Sequence, residues 1–284
     1  MEVKLLITPQ ELKDLQQRGE PLVIIDTRSA SEYEIEHIPG AINIREIFTY
    51  LIDSSAPEVL EKLQQDFAKL LGDAGLSGEE TAVIYEDTLT KGYGQSCRGY
   101  FLLKYLGYPK VSILHGGYKA WQKANIPTTA EVPTPTPKSF PLLVNSEIMV
   151  TKEEMLKSLD DPNIIKLDVR DRDEWMGLSS SPYGKDFCPR KGRIPGAVWI
   201  EWYEMMVPNS DIPEFLPSEE ILKIARQVGM KPEQTVYIYC FKGSRAANTA
   251  IALKQAGFKD VRNYFSSWNE WSRDPSLPIE TGTP

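Results

Sequence analysis

Short apolar runs alternate along this chain with stretches whose apolar positions recur at helical spacing. In the first half, residues 4–7, 22–26, 42–44, 82–85 and 111–114 read as strands, and the second of them ends in a carboxylate, Asp26. Residues 29–34, 59–71, 96–106 and 117–123 carry helical signals. Thr8-Pro9-Gln10-Glu11 opens a further helix, with Thr8 as cap, Pro9 in the first turn and Glu11 completing a capping box. Strands separated by helices imply a parallel sheet covered on both faces.

The composition then changes. Pro127, Pro133, Pro135, Pro137 and Pro141 stand among threonines, which predicts an extended, semi-rigid linker that lies on a surface and wraps between two domains. Beyond it the chain repeats itself. Asp26-Thr27-Arg28 matches Asp168-Val169-Arg170, an offset of 142, and Glu32-Tyr33 matches Glu174-Trp175. His37-Ile38-Pro39-Gly40-Ala41 matches Arg193-Ile194-Pro195-Gly196-Ala197 at an offset of 156, so the second copy holds 14 extra residues between those points. Thr81 to Tyr85 matches Thr235 to Tyr239, and Trp121 matches Trp271. Two similar α/β domains in tandem follow, over residues 1–126 and 146–284, with 127–145 as linker.

A length of 284 residues suits two domains, each with its own core. With 41% apolar and 25% charged residues, the composition is that of a globular protein. A net charge of -8 excludes the basic footprint of a nucleic-acid binder but leaves room for a local cationic pocket. No stretch approaches a membrane span, and the apolar run at the start is too short for a signal peptide. Cys97, Cys188 and Cys240 lie far apart and make no paired framework, so a reducing, cytoplasmic setting is expected. With two histidines, a metal site has little support, and no cofactor is expected.

The candidate chemistry sits in Tyr239-Cys240-Phe241-Lys242-Gly243-Ser244-Arg245-Ala246. A buried strand leads into the cysteine and a helix-forming run follows the arginine. Gly243 lets the turn bend so that backbone N–H groups form a nest at the helix start. That nest, with Lys242 and Arg245, favours a thiolate and holds a small anion against it. The stretch resembles the active-site loop of rhodanese-type sulfurtransferases, which runs Cys plus five residues with Gly fourth. Other landmarks of that family are Asp-x-Arg after a strand, Ile-Pro-Gly-Ala, and Gly-Gly-x-x-x-Trp, seen here as Gly116-Gly117-Tyr118-Lys119-Ala120-Trp121. The resemblance covers nearly the whole chain and is to the two-domain thiosulfate and 3-mercaptopyruvate sulfurtransferases. It implies two rhodanese-like domains, each a parallel five-stranded sheet flanked by helices. It further implies Cys240 as the carrier of a persulfide, and donor binding by Phe241, Lys242, Gly243, Ser244 and Arg245. Family members often hold an arginine where this chain has Glu174, so Arg170, Arg190 or Arg193 is the candidate replacement cation. Glu86 stands in the first copy where the second has Cys240, which makes the first domain a non-catalytic partner.

The implied partners are a small anionic sulfur donor and a cyanide or thiol acceptor, which includes a thiol protein; the chain itself is a monomer or dimer. Lys242 points to thiosulfate, with 3-mercaptopyruvate the near alternative, and a persulfide relay with little turnover is a reading of another class. Phosphatases of the tyrosine and dual-specificity type place arginine six residues after the cysteine, where this chain has Ala246. Both histidines, His37 and His115, lie in the first copy, so a Cys–His dyad within the second is excluded. Asp26 and Asp168 are either bases or, on the plainer reading, ion-pair partners of Arg28 and Arg170 that orient loops. Cys188 is either a packed loop residue or a second thiol accepting sulfur from Cys240. Residues 177–192 are either a solvated excursion or a lid that docks the acceptor. Ser266-Ser267 replace the glycine pair and are expected to cap the following helix.

Overall fold

The computed structural model describes residues 3–282. They form two compact units. One holds the residues up to Tyr50, Leu60–Asn145 and Asn209–Glu214, and the other holds Leu51–Val59, Ser146–Pro208 and everything from Phe215 onward.

The first unit is built on a five-stranded parallel sheet: β1 (Leu6–Ile7), β2 (Leu22–Asp26), β3 (Ala41–Asn43), β4 (Thr81–Tyr85) and β5 (Val111–Leu114), in the order β1-β5-β4-β2-β3. Its helices are α1 (Pro9–Gln17), α2 (Ala30–Ile35), α3 (Glu46–Thr49), α4 (Pro57–Asp73, in this unit from Leu60 on), α5 (Gln95–Tyr105) and α6 (Gly117–Lys123). α1 starts as its sequence dictates: Glu11 N–H donates to Thr8 Oγ1 at 3.2 Å and Thr8 N–H to the Glu11 carboxylate at 2.8 Å. The proline-rich segment lies along this unit. Lys138 N–H donates to Gly72 O at 2.8 Å and Asn145 N–H to Tyr105 O at 2.7 Å.

The second unit contains α7 (Lys152–Lys157), β6 (Ile164–Asp168), α8 (Arg172–Trp175), β7 (Val198–Trp199), α9 (Ser218–Gln227), β8 (Thr235–Tyr239), α10 (Ser244–Gln255), β9 (Asp260–Asn263) and α11 (Ser267–Trp271). Its parallel sheet has four strands, in the order β7-β6-β8-β9, one fewer than expected. The fifth is reduced to a bridge between Met149 and Asn263, with Val150 N–H donating to Asn263 O at 2.9 Å. Met149 is followed at once by the capping box of α7, in which Thr151 accepts from Glu154 N–H, so the chain turns into a helix before a ladder can extend. The segment 51–59 is part of this unit: Ser55 N–H donates to Glu270 Oε1 at 2.7 Å, and Lys152 N–H donates to Ser55 Oγ at 2.8 Å.

The central register is the same in both units. Asp26 lies beside Tyr85, and Asp168 lies beside Tyr239. Each aspartate is fully buried and paired at once with the arginine two residues on. Arg28 Nη2 lies 2.7 Å from Asp26 Oδ2, and Arg170 Nη2 lies 2.6 Å from Asp168 Oδ2. Tyr85 O–H donates to Asp26 at 2.5 Å, and both tyrosine oxygens accept a backbone N–H from the Ile-Pro-Gly-Ala turn, from Ile38 and from Ile194. The guanidinium groups also stack on aromatic faces, Arg28 on Tyr118 at 3.8 Å and Arg170 on Trp268 at 4.4 Å. The orienting pair is thus present in both copies.

Removing one partner of such a pair strands a buried charge. Arg28→Ala is expected to cost about 3–5 kcal/mol of unfolding free energy, measured by chemical denaturation. A loss of under about 1 kcal/mol would show that Asp26 does not need its counter-ion.

Candidate active site

β8 is buried from Val236 to Tyr239 and delivers Cys240 to the sheet's C-terminal end, with the thiol residue itself 1% exposed. α10 begins at Ser244, with Gly243 as its N-cap at φ +83°. A Cβ on Gly243 would stand 2.8 Å from the Phe265 ring, so both the backbone angle and the space require glycine. In this conformation Gly243 N–H points back and donates to Cys240 Sγ at 3.2 Å. The loop is held from behind by residues 263–269. Cys240 N–H donates to Ser267 Oγ at 3.1 Å, and Cys240 O accepts from Trp268 N–H at 3.1 Å. Phe241 O accepts from Asn269 N–H at 3.2 Å, and Gly243 O from the Asn263 side chain at 3.1 Å.

Ser266 and Ser267 do not cap α11 through a side-chain bond, contrary to expectation. Ser267 has φ +57°, keeping the left-handed turn that Gly117 makes at φ +64° in the first copy. Its hydroxyl donates to Tyr264 O at 2.7 Å while accepting from Cys240 N–H, and those two bonds hold it in a conformation unusual for serine. The Ser266 hydroxyl goes to Glu270.

The remaining loop side chains divide. Phe241 is buried against Tyr183, with ring centroids 4.9 Å apart, and against Phe187 at 6.3 Å. Lys242 places Nζ 5.8 Å from the Tyr183 ring centroid. Ser244 is buried, and its Oγ has no hydrogen-bond partner among the described residues. Arg245 turns away into the protein. It forms a two-pronged pair with Glu174, at 2.6 and 3.1 Å, and a third bond to Asp171 at 2.9 Å. Burial alone would lower its pKa, but Glu174, together with Cys240 and Asp171, raises it well above the usual value.

The other candidate cations are engaged elsewhere. Arg170 is held by Asp168 and by Gly192 O at 2.8 Å. Arg193 pairs with Glu280 at 3.4 Å, donates to Gly282 O at 2.9 Å and stacks on Trp175 at 4.6 Å. Arg190 donates to the carbonyls of Trp271, Ser272, Asp274 and Leu277, which pins the inserted loop to the segment after α11. Cys188 is fully buried in the same core cluster as Tyr239 and Phe241, and burial pushes its thiol up to about 11.

Two features were missed in the sequence. The carboxylate partners of Arg245 could have been suspected, because Asp171 and Glu174 have capping-box spacing at a position facing the loop. The aromatic cover that Tyr183 and Phe187 give to Phe241 left no signal.

The first unit holds the corresponding turn with different chemistry. Glu86 follows β4, and Gly94 caps α5 at φ +74°, much as Gly243 caps α10. The Glu86 carboxylate fills the nest itself, accepting from Gln95 N–H at 3.0 Å, Ser96 N–H at 3.2 Å and the Ser96 hydroxyl at 2.5 Å. Burial pushes its pKa up to about 8 against the pull of those donors. Among the described residues, no helix is long and apolar enough to cross a membrane.

The repeated parallel fold has a counterpart in known proteins. Residues 8–124 and 151–274 each match the rhodanese-like domain. The chain belongs to the rhodanese family of sulfurtransferases, in its two-domain form. It is 29% identical over 280 residues to a thiosulfate sulfurtransferase of Pseudomonas aeruginosa, covering 98% of each chain. It is 31% identical over 257 residues to another from Corynebacterium glutamicum, covering 88% of this chain and 81% of that one. The sulfur carrier protein TtuD of Thermus thermophilus is 29% identical over 263 residues, covering 88% and 87%. Among solved structures, wild-type EanB superposes with a TM-score of 0.82 at 25% identity over 99% of this chain and 70% of its own.

Glu86 makes stability depend on pH. Between its ordinary value of 4.5 and about 8, the unfolded chain gives up this proton while the folded chain keeps it. Stability from this group therefore falls as pH rises across that window. Glu86→Gln is expected to flatten that part of a stability-against-pH curve measured by thermal unfolding. An unchanged slope would mean that the carboxylate is ionised in its nest.

Proposed function

We propose that the chain transfers a sulfane sulfur from thiosulfate to a thiophilic acceptor through a persulfide on Cys240. The observation that carries this reading is the Gly243 N–H aimed at Cys240 Sγ at 3.2 Å, at the start of a helix whose dipole favours negative charge there. The Cys240 thiolate attacks the outer sulfur of thiosulfate. The S–S bond of the donor breaks, and its electron pair leaves with sulfite. The persulfide keeps one negative charge on its outer sulfur, beside the loop N–H groups. Cyanide or an acceptor thiolate then attacks that outer sulfur, forms thiocyanate or a new persulfide, and returns the Cys240 thiolate. This is covalent, two-stage catalysis.

Lys242 is proposed to meet the charge of the donor and of departing sulfite. The Ser244 hydroxyl, buried in the loop, is the proposed further donor. Gly243 shapes the turn, Phe241 anchors it beneath Tyr183, and Arg245 braces it. Arg170 and Arg193 act on this reading through the loops they fix rather than by touching the donor. The first unit is non-catalytic, since Glu86 cannot carry sulfur. 3-Mercaptopyruvate is the alternative donor, and likeness to a sulfur carrier protein supports a protein thiol as acceptor. The compartment proposed is the cytoplasm.

Intact mass after incubation with thiosulfate is expected to show one added sulfur, mapped to Cys240 and removed by cyanide. Cys240→Ser is expected to abolish both the added mass and turnover, and transfer surviving in that variant would place the chemistry elsewhere. Lys242→Ala is expected to raise the thiosulfate KM by about tenfold with little change in melting temperature. An unchanged KM would remove Lys242 from the donor site.

A further inference from the structure

The Arg245–Glu174 pair is more than a brace. The loop arginine belongs to the stretch that cradles the thiol, yet it is buried and held by two carboxylates. Glu174 is 2% exposed and also accepts Asp171 N–H at 3.3 Å as the third residue of the α8 capping box. Arg245, Glu174 and Asp171 together carry a formal charge of −1, so the positive charge of the arginine is offset within its own cluster. The matching residue of the first copy, Glu32, makes the same capping box, but its side chain is 42% exposed, and it pairs only loosely with Lys91 at 3.5 Å. Burial behind a thiol loop is particular to the second copy.

We propose that Glu174 is a specificity-determining residue: by neutralising Arg245 from behind, it weakens the hold of the Cys240 cradle on doubly charged donors relative to singly charged ones. This rests on the reading of Cys240 as the sulfur acceptor from an anionic donor. A change of local potential acts twice on a dianion and once on a monoanion. Thiosulfate and sulfite therefore feel Glu174 more strongly than 3-mercaptopyruvate does. The carboxylate lowers affinity for thiosulfate and helps sulfite to leave.

The test is Glu174→Gln, which keeps the hydrogen-bonding shape and removes the charge. KM values are measured for thiosulfate and for 3-mercaptopyruvate. The thiosulfate KM is expected to fall about tenfold and the 3-mercaptopyruvate KM about threefold, as the square relation requires. Glu174→Asp retains the charge and is expected to restore the wild-type ratio of the two even if it lowers the melting temperature. Glu32→Gln removes the same capping-box charge from the first copy and is expected to leave the ratio alone. Equal changes for both donors, or a rise in both, would reduce Glu174 to a structural role.

A second readout needs no sulfur transfer. The ratio of Cys240 alkylation rates by iodoacetate, an anion, and iodoacetamide, which is neutral, is expected to rise about threefold in Glu174→Gln. An unchanged ratio would overturn the proposal. If the wild-type protein takes sulfur from neither donor, the proposed function fails, while the alkylation ratio still decides the part played by Glu174.

Discussion

Charge buried where parallel strands end has to be paired on the spot, and much of this protein follows from that requirement. Desolvating a carboxylate or a guanidinium costs several kcal/mol unless a partner and further hydrogen bonds compensate it. Asp26 and Asp168 meet the requirement with the arginines two residues later, which turns each strand end into a fixed platform. The arginines then reach a carbonyl on the next loop, Glu36 O in one copy and Gly192 O in the other. A loop entering beside such a platform inherits its position, and the Cys240 loop is one of them.

The loop itself is fixed mostly by main-chain bonds rather than by its own side chains. Donors and acceptors between residues 263 and 269 meet Cys240, Phe241 and Gly243 in turn. The thiol therefore sits at a helix start with an N–H directed at it. Fixed dipoles need no rearrangement to meet charge, and on the proposed reading this suits a group that passes from thiolate to persulfide and back without changing its charge.

Local signals wrote most of the fold into the sequence. The capping box at Thr8 and Glu11, the strand ends at Asp26 and Asp168, and the glycine at 243 each depend on a few neighbouring residues. What escaped depends on residues far apart. Arg245 finds Glu174 across 71 residues of chain, and Ser55 finds Glu270 across 215. Ser267 reads as a helix cap until its positive φ is seen, because its hydroxyl is committed to Tyr264 O and to Cys240 N–H. The second sheet lost its outer strand for a local reason, since a capping box closes on Thr151 before more than one bridge has formed.

Glu86 can also be considered as a ligand. It is bound by the peptide N–H groups of a turn that copies the Cys240 loop without its thiol, and it is covalently attached to the turn it occupies. Tethering gives it an effective concentration that a free anion in solution does not match. The first unit is in this sense permanently saturated. On the proposed reading, a domain of this kind keeps its anion-binding backbone and the shape of the duplicated fold, and a tethered side chain holds the place a donor would take.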